Sequence, residues 1–313
     1  PLSSAISIGT GGPFGAEGPI IMTGGAVGSI FAQFFQLSAA ERKTLLVAGA
    51  SGGMAAIFAA PVSATLLAVE LLLFEWRPRS FIPVAIAAVS AAALRVPLLG
   101  AGPIFPVQPH AMLNSEGLVF AFLVGIAAGL GSGLLTTLVY AFEDLFNKLP
   151  IHWMWWPAIG GLFIGIGGLI EPRVLGVGYE TIHELLVGHI VGPALLGILI
   201  GKSFVWSLAL GSGTSGGVLA PLLMMGGALG AGLARFIPIG DTGVWALIGM
   251  AGMMGGTMRS PLTSMIFALE LTQDLNLLPG LLAGCVAAHG VTVLLLRRSI
   301  LTEKVARRGY HVM

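Results

Sequence analysis

Charged residues and cysteine are scarce in this sequence. Asp, Glu, Lys and Arg make up 9% of its 313 residues, against about 25% in soluble globular domains, and the formal net charge is +1. So small a net charge gives no attractive field for nucleic acid, and we predict no nucleic-acid partner. Cys285 is the only cysteine, which excludes a disulfide framework and a cysteine metal cluster.

Sequence motifs of enzymes are also missing. The six histidines show no ligand spacing, and the H-E-x-x-H motif does not occur. Gly211 to Gly216 satisfies G-x-G-x-x-G, but no strand–helix–strand pattern surrounds it, so we expect no dinucleotide site there. An intramembrane enzyme, the competing class, would need a nucleophile–base pair or a metal motif. We therefore predict a protein that is not an enzyme and that has no cofactor and no metal site.

Apolar residues and glycine are abundant instead. Hydrophobic residues make up 56% of the chain, and the mean hydropathy is +0.94. Apolar segments of spanning length recur up to the C-terminus, and none has the pattern of a signal peptide. The 47 glycines fit helices that pack closely in lipid. We predict an all-α, multi-pass protein of the cell membrane, the inner membrane if the source is Gram-negative, with the lipid bilayer around it.

One carboxylate lies inside this apolar sequence. Glu17 is part of Gly15-Ala16-Glu17-Gly18-Pro19, and an almost uncharged run follows it. A charge at membrane depth is costly and indicates a functional site. Because proline is suited to the first turn of a helix, we predict a helix from Pro19 onward, with Glu17 at a helix break.

The second half of the chain repeats the pattern. Gly217-Val218-Leu219-Ala220-Pro221 has the same glycine-then-proline form, and it lies 202 positions further on. A second pair of segments, which begin at Pro61 and Pro261 and contain Glu70 and Glu270, keeps an offset of 200. Paired, interrupted apolar segments are typical of inverted repeats whose broken helices meet at the bilayer midplane and form a transport site.

Helix N-termini at that depth favour an anion. Their N–H groups are unpaired and carry the positive end of the helix dipole, so two of them form an anion site without a fixed positive charge. The Glu17 carboxylate can occupy such a site and leave it when protonated, which makes Glu17 a candidate gate and proton acceptor. The paired Glu70 and Glu270 have a structural alternative, in which they accept hydrogen bonds from backbone N–H groups at helix breaks.

The repeat predicts three parts in the chain. Residues 1–150 are the remainder of the first transmembrane repeat, 151–296 are the second, and 297–313 are a basic helix that leads to the cytoplasm. The start at Pro1, without a methionine, indicates a piece of a longer protein. In the first part, Ser38-x-x-Glu41 has the form of a capping box and predicts a helix start in a water-facing loop.

These motifs resemble those of one family. Gly15 to Pro19 resembles the G-[KR]-E-G-P motif of the CLC chloride channels and proton/chloride antiporters, and Gly217 to Pro221 resembles their G-x-F-x-P motif. Met258 to Thr272 and Thr302 to Gly309 are similar to further family segments, in the same order. The resemblance implies a CLC-type fold that starts at the family's fifth helix. It also implies a homodimer with a pathway in each subunit, and in many members cytoplasmic CBS domains follow.

The resemblance also implies roles for individual residues. Glu17 matches the external gating glutamate, and the backbone amides of Val218 and Leu219 match those that hold the central anion. The remaining amides expected to bind anions are those of Gly15, Ala16, Gly18 and Gly217.

Four positions depart from the family pattern. Ala16 replaces a Lys or Arg of the outer vestibule, and Leu219 replaces a Phe. Leu301 lies where many members have a pore-lining tyrosine, and Leu71 lies where some antiporters carry an internal proton-transfer glutamate. Glu70 and Leu71 are therefore the positions to test for an inner proton route. The family's G-S-G-I-P segment would precede Pro1.

The expected function is transport of chloride and similar anions through a pathway gated by Glu17. The departures at Leu71 and Leu301 favour passive or weakly proton-coupled, channel-like conduction. A proton/chloride antiporter, with protons as a second substrate, and a fluoride-selective transporter are the alternatives.

Overall fold

The structure is a computed structural model that describes residues 2–307 and 309. Its fourteen α-helices are α1 (Leu2–Gly9), α2 (Glu17–Ala32), α3 (Ala39–Phe58), α4 (Pro61–Leu67), α5 (Pro78–Leu99), α6 (Ser115–Asn147), α7 (Trp156–Ile170), α8 (Tyr179–Leu186), α9 (Pro193–Gly211), α10 (Leu219–Ala234), α11 (Thr242–Met258), α12 (Pro261–Thr272), α13 (Leu278–Leu295) and α14 (Ile300–Arg307). A π-helical segment, Ala68–Leu73, continues α4, and 3₁₀ turns lie at Trp153–Trp155, Pro172–Val174 and Leu275–Leu277. The predicted all-α class is confirmed.

Long apolar helices identify the chain as a multi-pass membrane protein. Within the described residues, five stretches have the length and composition to cross a bilayer: Pro78–Leu99, Ser115–Asn147, Trp153–Ile170, Pro193–Gly211 and Leu275–Arg307. Other apolar helices, such as α10 and α12, are shorter. Short helices of this kind are typical of proteins in which helices end inside the membrane.

Two helices begin earlier than the sequence indicates. The prolines at 19 and 221 predict helix starts at those positions, but α2 begins at Glu17 and α10 at Leu219. The first four N–H groups of a helix have no partner within it, so proline fits the third position as well as the first. Glu17 is therefore the first residue of α2 rather than part of the preceding loop.

The repeat is visible in two matched helix pairs. Helix α2 packs against α3, and α10 packs against α11. In the first pair, a Cβ added at Gly24 or Gly49 would collide with the carbonyl of the other glycine, and in the second pair Gly226 and Gly249 have the same relation. The positions differ by 202 and 200, as in the sequence repeat.

Glu70 and Glu270 connect the two repeats reciprocally. Glu270 accepts hydrogen bonds from the backbone N–H groups of Val62 and Ser63, at 2.9 and 2.7 Å, at the start of α4. Glu70 accepts from the N–H of Thr263, at 3.2 Å, and from its hydroxyl, at the start of α12. Each carboxylate therefore caps a helix of the other repeat, which agrees with the structural alternative for both residues.

The sequence makes predictions for the start of α3 and for the last helix, α14. Ser38 and Glu41 form the predicted capping box, in which the Ser38 N–H donates to Glu41 Oε2 at 2.8 Å. The Ser38 hydroxyl and amide hold the pKa of Glu41 below its usual range. Helix α14, Ile300–Arg307, lies within the part predicted as a basic helix, 297–313, and residues 308 and 310–313 of that part lie outside the described residues.

Candidate functional site

Two glycines join the broken helices. Gly15 and Gly217 form an antiparallel pair in which each N–H donates to the carbonyl of the other, at 3.1 Å. Glu17 begins α2 two residues after the first glycine, and Leu219 begins α10 two residues after the second. The fold thus brings two helix N-termini together, as the repeat predicted. The N–H groups of these first turns have no partner within their own helices, and they lie in one buried region.

The Glu17 side chain lies in that region. It is 2% exposed, and its Oε1 accepts a hydrogen bond from the N–H of Leu219 at 2.5 Å. The second oxygen, Oε2, is buried and has no hydrogen-bond partner among the described residues. One oxygen of the Glu17 carboxylate therefore accepts a hydrogen bond and the other does not. A single charge-assisted hydrogen bond holds the carboxylate at the N-terminus of α10.

The carboxylate fits because its neighbours are glycines. A Cβ added at Gly217 would collide with Glu17 Oε1 and with the Gly15 carbonyl, and a Cβ at Gly15 would collide with both oxygens of Glu17. At Gly18, an added Cβ would lie 3.1 Å from the N–H nitrogen of Gly217. Any side chain at the two bridged positions would take the space of the carboxylate.

The Glu17 carboxylate binds one of the amides that the sequence predicts for an anion. The Leu219 amide, expected from the sequence to face an anion, donates instead to the Glu17 carboxylate. Ala16 and Val218 are the cap residues directly before the two helices. A negatively charged Glu17 therefore accepts from an amide that the sequence predicts to bind an anion, and protonation would weaken this hydrogen bond because the carboxyl group loses its charge.

The sequence motifs do not indicate a role for Lys202. It lies on α9, is completely buried, and donates from Nζ to the carbonyls of Val174 and Gly176, at 2.9 and 2.8 Å. The sequence predicted an anion site without a fixed positive charge, whereas the Lys202 ammonium interacts electrostatically with Glu17. The available signal was a single lysine within an otherwise uncharged spanning segment.

Tyr179 was missed as well. Its hydroxyl is buried without a hydrogen-bond partner among the described residues, and the residue lies within electrostatic range of Glu17. Its ring makes edge contacts with Phe58 and Phe105, with ring centroids 6.4 and 5.9 Å away. The sequence offers no signal for this, because none of the motifs includes Tyr179.

The remaining predicted residues lie elsewhere. The Glu70 carboxylate caps α12, and Leu71 is half-buried in the π-helical segment. Leu301 is half-buried on α14, one residue after Ile300, whose carbonyl accepts a hydrogen bond from the Tyr140 hydroxyl. The site itself therefore consists of Glu17, the two bridged glycines and the first residues of α10.

Known proteins resemble this chain over nearly its whole length. A family model described as "Voltage gated chloride channel" matches residues 1–293. The voltage-gated ClC-type chloride channel ClcB of Escherichia coli is 32% identical over 98% of this chain and 75% of its own length.

Two solved structures share the fold. A slow cyanobacterial Cl⁻/H⁺ antiporter aligns with a TM-score of 0.89 and 24% identity, over 97% of this chain and 73% of the other. A CLC-type fluoride/proton antiporter aligns with a TM-score of 0.81 and 21% identity, over 90% and 71%. At these identities the structural likeness shows the fold alone.

Proposed function

The chain belongs to the voltage-gated chloride channel family, whose members transport anions across membranes, and from that premise we propose that it carries chloride through a pathway gated by Glu17. The observation that supports this proposal is the hydrogen bond from the Leu219 N–H to the Glu17 carboxylate. A group that already holds a carboxylate at a helix N-terminus can hold a chloride ion by the same N–H donor.

Glu17 acts as the gate in this proposal. The charged carboxylate blocks the anion position, and a proton from outside releases it, so chloride flux rises as the external pH falls. The surrounding amides, of Gly15, Ala16, Gly18, Gly217 and Val218, then face the passing anion. Because these donors carry no full charge, the ion binds but can leave again.

The substitution Glu17→Gln tests the gate. In liposomes, we expect this variant to conduct chloride at every external pH, at a rate at least equal to that of the unmodified protein at low pH. A neutral side chain resembles the protonated gate and has no charge to lose. The exposed Glu180 offers a control, since Glu180→Gln should keep the original pH response. An unchanged pH response in Glu17→Gln would remove Glu17 from the mechanism.

Chloride is the proposed substrate, with bromide and nitrate tolerated. The relative at 32% identity is named a chloride channel, and backbone donors in a dry site select mainly by size and hydration. Competition between chloride and fluoride flux tests this assignment. A strong preference for fluoride would replace chloride by fluoride as the substrate and leave the role of Glu17 intact.

Passive or weakly proton-coupled conduction is the proposed mode of transport. Leu71 and Leu301 carry no titratable group, and the neighbouring Glu70 already accepts two hydrogen bonds from Thr263. An antiporter is the alternative, and the two modes predict different proton movement. The homodimer also stays a proposal, based on family membership.

A further inference from the structure

Lys202 stands apart from every other cation of the described residues. It is the only Lys or Arg whose side chain is completely buried, and it lies within α9, one of the spanning helices. Burying an ammonium group in a membrane protein is costly unless a negative charge or several dipoles compensate it. The group that compensates the buried Lys202 charge therefore has to be identified.

The contacts of Lys202 lead towards the anion site. Its Nζ donates to the carbonyls of Val174 and Gly176, and the Gly176 N–H donates to the Gly11 carbonyl at 3.1 Å. Gly11 belongs to the segment that leads into Glu17. Two carbonyl dipoles solvate an ammonium group but leave its full charge uncompensated.

Lys202 and Glu17 form a separated pair of opposite charges. The two side chains lie within electrostatic range of each other, and no salt bridge joins them within residues 2–307. The ammonium is held by carbonyls, so its charge acts on the anion position over a distance rather than by direct contact. Attraction of this kind favours an anion without binding it in a contact pair, which preserves release.

We infer that Lys202 is the fixed counter-cation of the anion site, balancing the Glu17 carboxylate when the gate is closed and the transported anion when the gate is open. The inference rests on the proposed function. One negative charge then replaces another beside one constant positive charge, and the buried region has no net charge in either state. Without this cation, each anion that enters would be an uncompensated charge in the membrane interior.

Flux measured against chloride concentration tests the role of the charge. Lys202→Gln removes the charge but keeps N–H donors for the two carbonyls, whereas Lys202→Met removes both. We expect the chloride concentration for half-maximal flux to rise roughly tenfold in both variants, since each loses the same electrostatic attraction. Lys202→Arg, which keeps the charge, should stay near the original value. If Lys202→Gln also keeps that value, Lys202 only holds the loop and the inference is wrong.

A double-mutant cycle with Glu17→Gln gives a readout that needs no transport. In chloride-free buffer, each single variant, Glu17→Gln or Lys202→Gln, leaves one buried charge without its counterpart. The double variant removes both charges, and we expect its apparent melting temperature to exceed that of either single variant. If a single variant fails to fold, the double variant should fold again. Losses that simply add in the double variant would contradict the inference.

The two experiments separate this inference from the proposed function. Absence of chloride flux in the unmodified protein would overturn the proposed function, while the melting temperatures would still show whether the two charges are coupled. Flux in the unmodified protein together with unaltered chloride dependence in Lys202→Gln would overturn the role of Lys202 alone.

Discussion

The proposed gating role of Glu17 depends on the length of its side chain as well as on its charge. Its carboxylate extends from the first residue of α2 to the first N–H of α10, across the Gly15–Gly217 pair. An aspartate at this position would be shorter by one methylene, about 1.5 Å, and would leave the Leu219 amide without this acceptor. Glutamate is thus the acidic side chain that fits the span between the two helix starts.

The Gly217→Ala substitution tests whether the site requires a bare backbone. The added Cβ would collide with the Glu17 carboxylate and the Gly15 carbonyl, so we expect a loss of stability of about 1–3 kcal/mol. We also expect a weaker pH response of chloride flux, because the carboxylate can no longer lie on the Leu219 amide. Thermal unfolding in detergent and flux in liposomes measure the two effects.

Gly232→Ala is the matched control for this prediction. Gly232 lies on α10, and a Cβ there meets no atom within 4 Å. Alanine in a helix interior stabilises it by about 0.5–1 kcal/mol relative to glycine, so this variant should be unchanged or slightly more stable. Equal effects of the two substitutions would show that the collision at Gly217 is relieved by local shifts.

Individual residues were predictable from the sequence only where a local rule applied. Glu17 is recognisable because a carboxylate beside glycine and proline in an apolar run has few structural explanations. The proximity of Lys202 and Tyr179 to Glu17 depends on the packing of α8 and α9 against α10, and no spacing in the sequence encodes that arrangement. For these residues the three-dimensional contacts are required.

At the scale of helices, hydrogen bonds to Glu70 and Glu270 connect the two repeats at the starts of α12 and α4. Helices α4 and α12 both begin with proline inside the apolar part of the chain, where free N–H groups are costly. Each receives a carboxylate cap from the other repeat, from Glu270 and Glu70. The two helices therefore contact each other and stabilise each other's first turn.

Replacement of Glu270 should destabilise the protein without changing the gate. Glu270→Ala leaves the N–H groups of Val62 and Ser63 without their acceptor, at a cost of about 1–3 kcal/mol. We expect a lower melting temperature in detergent, while the pH response of the remaining chloride flux keeps its midpoint. Glu116→Gln, at an exposed glutamate on α6, is the control and should leave the melting temperature unchanged. A shifted pH midpoint in Glu270→Ala would connect Glu270 with the gate.

The π-helical segment is the element that the sequence did not predict. The first segment runs from Pro61 to the left-handed Phe74 and the second from Pro261 to the left-handed Gln273, so the first contains one more residue. The register of the repeat holds up to Glu70 and Glu270, which places the extra residue after them. A single extra residue within a helix is accommodated as a π-helical turn. Apolar pattern alone does not distinguish such a turn from regular helix.

At the scale of the molecule, the packing of α6 bears on the division of the chain. The predicted boundary between residues 150 and 151 stays a prediction, and α6 packs against α9, α10, α11 and α13 of the second half. We propose that the division lies earlier, in the segment between α5 and α6. Sequence repeats locate matched motifs well, but α6 shows no motif that would assign it to either half.

Proton coupling depends on a route across the whole molecule. Glu17 is the proposed outer proton site, whereas the candidate inner position Leu71 carries no titratable group. The Glu70 carboxylate already accepts hydrogen bonds at the start of α12. His289 on α13 lies within electrostatic range of Glu70. The Nδ1 atom of His289 is buried without a hydrogen-bond partner in the described part of the chain. Glu70 and His289 are therefore the two residues to test as inner proton carriers.

We predict that chloride moves with little or no uphill proton transport. The protein is reconstituted in liposomes under an imposed chloride gradient, and a pH electrode records the external solution. Because no unengaged carboxylate lies at the inner position, we expect chloride flux without proton movement against its gradient, in the unmodified protein as in Glu17→Gln. Uphill proton movement that an added protonophore abolishes would contradict passive conduction. In that case His289→Gln and Glu70→Gln identify the carrier, since the substitution that interrupts the route should stop proton movement while chloride flux continues.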